Sequence, residues 1–115
     1  MSVELARSHY LGKDGCAKLN CAQSVAGAFQ GKFALSDEAF QACRIYGGGR
    51  APNGECGALY AAKLMLEKAY PAMIKDCEDA LLLYGGSTQC HKIRSARRLS
   101  CLGCVETVAA CLERA

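Results

Sequence analysis

Five cysteines of this chain sit where a predicted helix begins. Cys21 follows Asn20, Cys56 follows the Asn53-Gly54 loop, and Cys90 follows Ser87 and Thr88; Cys101 follows Ser100, and Cys104 lies one turn further in. The first N–H groups of a helix have no partner inside it, and together with the helix dipole they favour negative charge. A thiol placed there is expected to have a lowered pKa and to be more often thiolate, the form that binds metals and attacks disulfides. Cys43, Cys77 and Cys111 fall inside predicted helices and read as small core residues, and Cys16 lies in a loop.

Within the helix-start set, Cys101 and Cys104 form the one C-x-x-C pair. They are the candidate catalytic residues of a metal-free dithiol protein, with Cys56 or Cys90 able to exchange with them. Structural zinc usually shows two close ligand pairs, so zinc would need distant ligands here. A c-type haem is disfavoured, because attachment requires histidine directly after C-x-x-C and Val105 stands there. A helical peroxide-reducing enzyme is disfavoured for the same want of histidine: the chain has only His9 and His91. An oxidoreductase activity is left open.

The composition narrows the setting. Nine of 115 residues are cysteine, an odd number. The start, MSVELARSHYLGK, does not read as a signal peptide. A disulfide-stapled secreted scaffold is therefore disfavoured, and a reducing, cytoplasmic compartment is expected. The net charge of +3 is too mild to indicate nucleic acid. HKIRSARRLS carries Lys92, Arg94, Arg97 and Arg98 and reads as a solvated helix face; docking of an acidic redox partner protein is the functional alternative. No aromatic residue interleaves these charges, as single-strand binding would ask. No run of about 18 apolar residues is present, so no membrane span is expected. GGGRAPNG lacks the Lys-Ser/Thr ending of a phosphate loop.

Positioning these thiols falls to a pattern that reads as all-α, a single domain of about five to seven short helices over residues 1–115. A first helix is expected over 2–10. Asn20 caps a second over 21–30, with Ala22, Val25, Ala26 and Phe29 on one face. Ser36 caps a third, with Asp37 and Glu38 in its first turn, ending at Gly47, Gly48 and Gly49. A fourth runs over 55–69 with Leu59, Ala62 and Leu66 inward. Pro71 opens a fifth, with Ile74, Cys77, Leu81 and Tyr84 as its buried stripe and Gly85 and Gly86 as its stop. Ser87 or Thr88 caps a short basic helix. Ser100 caps the last, with Val105, Val108, Ala109 and Leu112 inward.

NCAQSVAGAF, YGGGRAPNGECGALYAA, YGGSTQCHKIR and CVETVAACL, in this order, resemble a family assigned a redox role and named for its cysteine pattern, C then GCAxxG then C then C. The resemblance covers about residues 21–112. Carried over by position, the family's four cysteines are Cys21, Cys56, Cys90 and Cys104. The resemblance implies small redox proteins, and these four are the candidate ligands of an iron–sulfur cluster in an electron carrier or sensor, with Cys101 as a substitute. The chain departs from the pattern in having Glu55 before Cys56. Cys101, making CLGC with Cys104, leaves open which of the two is the working residue.

Overall fold

A computed structural model describes residues 2–115. Seven α-helices account for its regular structure, with no strand among the described residues: α1 Ser2–Leu11, α2 Cys21–Phe29, α3 Asp37–Ala42, α4 Gly57–Leu66, α5 Ala72–Gly85, α6 Cys90–Ala96 and α7 Cys101–Glu113. Short 3₁₀ turns occupy Cys43–Ile45 and Pro52–Gly54.

The caps explain the helix starts. Asn20 Oδ1 accepts the Gln23 N–H at 2.7 Å, and Ser36 and Ser100 do the same for Ala39 and Gly103 at 3.1 and 2.9 Å. The apolar faces of α2, α4 and α7 are buried at the expected positions, from Ala22, Val25, Ala26 and Phe29 through Leu59, Ala62 and Leu66 to Val105, Val108, Ala109 and Leu112. They form one continuous core, in which α2 packs on α1, α4 and α7, and α5 on α7.

Four expectations are corrected. The third helix stops at Ala42, tightening into the 3₁₀ turn before the glycines. The fourth runs from Gly57 to Leu66, with Cys56 in the N-cap position. On α5, Tyr84 is 57 % exposed and the inward place goes to Gly85. A Cβ on Gly85 would stand 3.3 Å from Ile93 Cγ2, so the bare glycine is what lets α6 close on α5. Lastly, Ser87 Oγ accepts the Gln89 N–H at 3.0 Å rather than capping α6, whose N-cap residue is Gln89.

Candidate thiol centre

The helix-start cysteines converge. Cys21, Cys56, Cys90, Cys101 and Cys104 line one cavity of about 20 Å³, closed by Gly48, Gly57, Ile93, Arg94 and Leu99. The thiols come from the beginnings of α2, α4, α6 and α7, so four helix N-termini point at one place. Cys56 and Cys104 are buried, while Cys21, Cys90 and Cys101 are half-buried. Cys16 lies outside this cavity, as do the fully buried Cys43, Cys77 and Cys111. A larger groove of about 570 Å³, with Asp76, Asp79, Glu106 and Arg114 in its walls, is open and holds no cysteine.

Backbone constraints bring the helix starts together. Asn20, besides capping α2, donates from Nδ2 to the Arg44 carbonyl at 2.8 Å, which ties α2 to the 3₁₀ turn. Gly47 lies so close to Asn20 that a Cβ would come within 2.9 Å of its side chain. The Cys56 N–H donates to the Thr88 carbonyl at 2.8 Å, and Glu55 and Gln89 form an isolated antiparallel bridge. These two contacts set the α4 and α6 starts, and so Cys56 and Cys90, side by side. Gly57 is decisive: a Cβ there would stand 2.5 Å from the Tyr46 carbonyl oxygen and 2.8 Å from Cys21 Sγ. Gly48 adopts a φ of +62°, and its N–H faces the Cys21 sulfur.

Helix-start donors were expected to lower the thiol pKa values, and three of the five go the other way. Burial pushes Cys21 up to about 11, with the Cys56 charge adding to it and the Gly48 and Ala22 N–H groups opposing. Cys56 is pushed well up by its side-chain contact with Cys104 and by burial, against the Leu59 and Ala58 N–H groups. Cys90 rises through burial and the nearby Cys101 and Cys56, while Arg94 pulls it down. The local argument from helix ends has the right sign; desolvation and crowding of like groups outweigh it.

Two contacts went unseen in the sequence. The Tyr10 hydroxyl neighbours the Cys101 thiol, and Arg94 lines the cavity and neighbours Cys90. Nothing in the spacing of Tyr10 marks it, because it reaches the centre from α1. Arg94 was visible as a charge of the basic segment, and its place one turn after Cys90 was the available signal. Within the C-x-x-C pair, Cys104 contacts Cys56 and Cys101 contacts Tyr10.

As they stand, no three His, Cys, Asp or Glu side chains among the described residues are disposed to hold a metal ion. No helix is long and apolar enough to cross a membrane. Fold and site together define a small all-α protein with a partly buried cluster of thiols at converging helix ends. Compared with known proteins, the chain matches no family model, no curated protein and no solved structure.

Proposed function

We propose that the protein is a small redox protein whose converged thiols hold an iron–sulfur cluster, with Cys21, Cys56, Cys90 and Cys104 as ligands and Cys101 as the alternate. The observation that carries this reading is the meeting of five sulfurs from four helix starts at one apolar-walled cavity. The donor set suits such a group: thiolates are the usual ligands of these clusters. The Gly48, Ala22, Ala58 and Leu59 N–H groups face the sulfurs, and such contacts tune a bound cluster. The cysteine pattern that resembles a redox family points the same way.

The raised pKa values of Cys21, Cys56 and Cys90 weigh against free-thiol chemistry at these residues. A buried thiol that holds its proton is a weak nucleophile, whereas a bound cation supplies the positive charge that the crowded thiolates lack. Room at the cavity is about that of one water, so the sulfurs would have to move apart to hold a cluster. Zinc is less favoured, since structural zinc usually shows two close ligand pairs and Cys101 and Cys104 are the one such pair in the sequence. The cluster would supply one-electron transfer; the chain would hold it, exclude water with Ile93 and Leu99, and present Arg94 and the basic face of α6 to an acidic redox partner protein. A reducing, cytoplasmic setting suits this chemistry.

The test is a visible spectrum with metal analysis on protein purified without oxygen or chelator. Absorption between about 300 and 500 nm with stoichiometric iron is expected, and Cys56→Ser should lose both. A colourless, iron-free protein that reconstitution does not colour would refute the reading. The contact of Cys56 with Cys104 supports a second reading, a metal-free dithiol closing between these two residues. On that reading mild oxidation removes two free thiols from a colourless protein.

A further inference from the structure

Away from the thiol centre a second pair of cysteines meets. Cys77 on α5 and Cys111 on α7 face each other with their Sγ atoms 2.7 Å apart. Both are fully buried in the interface of the two helices. Neither lines the cavity of the other five. As separate residues they read as core packing, each a small apolar side chain inside a helix. Together they are two thiols in direct contact, 34 residues apart in sequence.

We propose that Cys77 and Cys111 are a disulfide-forming pair, closed by a peroxide, that fastens α5 to α7. The chemistry balances with hydrogen peroxide as the two-electron acceptor. One sulfur, on losing its proton, attacks a peroxide oxygen; the O–O bond breaks, giving a sulfenic acid and, with that proton, one water. The second sulfur then attacks the sulfenic sulfur. The S–S bond forms, and the displaced hydroxide takes the second thiol's proton and leaves as the second water. Two thiols lose two electrons and two protons in all. Burial and the neighbouring Cys111 hold the Cys77 thiol neutral, so the reaction proceeds when α5 opens locally from α7. In a reducing compartment the pair is open, and it closes when peroxide rises. The inference does not depend on what the thiol centre binds.

A glutamate-specific protease makes the test clean. It would place Cys77 alone in the peptide 68–78 and Cys111 alone in 107–113, while Cys90, Cys101 and Cys104 fall together in 79–106. The full-length protein, as isolated, is treated with hydrogen peroxide, blocked with iodoacetamide in denaturant, cleaved and analysed without reductant. A linked 68–78/107–113 product, two hydrogens lighter than its parts and split by reductant, is expected. In Cys111→Ser the 68–78 peptide should instead be recovered alkylated. Recovery of both wild-type peptides alkylated, while the 79–106 peptide is oxidised, would overturn the proposal. A second measurement is independent of peptide recovery. Peroxide should raise the denaturation midpoint of the wild type and leave that of Cys77→Ala/Cys111→Ala unmoved; an equal response of the two proteins would also overturn it.

Discussion

A hydrogen atom in place of a methyl group decides whether two helices can start side by side. Gly57 has the Tyr46 carbonyl and the Cys21 sulfur where a side chain would begin. Gly57→Ala should destabilise the protein by about 1–3 kcal/mol, the usual cost of overpacking, and should lower iron content more than a matched substitution at Gly31, which has open space around it. Denaturant melts and metal analysis on the two variants check this. The titration of Cys21 belongs to the same scale. Its pKa rises from an ordinary 9.0 to about 11 in the fold, so the folded chain keeps a proton that the unfolded chain has released. The stability this contributes is complete below pH 9.0 and is lost as the pH climbs through about 11. In metal-free protein the urea midpoint should fall across that window, and Cys21→Ala should flatten part of the fall.

At the scale of the helix, ends matter more than middles. Asn20 both caps α2 and ties it to the Arg44 carbonyl, whereas Ser100 only caps α7. Loss of a cap costs about 1 kcal/mol. Asn20→Ala should therefore exceed Ser100→Ala in destabilisation and should also loosen the thiol centre, as read by faster alkylation of Cys21. The α5–α7 pair is the other lever. By chain entropy, closing a loop of 34 residues is worth about 4 kcal/mol, which is the expected difference between oxidised and reduced protein in urea titrations.

Across the whole molecule, much of the architecture was readable along the chain. The caps at Asn20, Ser36 and Ser100 and the buried faces of α2, α4 and α7 are local features, set by hydrogen bonds within a turn and by helical periodicity. The five thiols of the centre were legible as helix-start residues for that reason. Their meeting was not, since it depends on Gly57, the Cys56–Thr88 hydrogen bond and the Glu55–Gln89 bridge, all of which join residues distant in sequence. The same distance hid Tyr10. It also reversed the expected pKa shifts, because crowding by other thiols is a property of the assembled fold. The pattern on α5 failed at Tyr84 because a glycine next to it offered a closer approach to α6. A centre built from long-range contacts should in turn hold the fold together when loaded: iron-bound protein should melt at a higher temperature than protein stripped of iron, by linkage.

The gathering of helix beginnings at one point divides the molecule into a constrained pole and a permissive one. α4, ten residues long, carries its far end about 15 Å from the sulfurs, and the turn that follows, residues 67–71, is exposed throughout. On the proposed iron–sulfur reading, a few extra residues between Lys68 and Ala69 should leave the visible absorption of iron-loaded protein intact, whereas a single extra residue between Glu55 and Cys56 should abolish it. Variation in length is thus free to accumulate at one end of the molecule, and the spacing at the other is not.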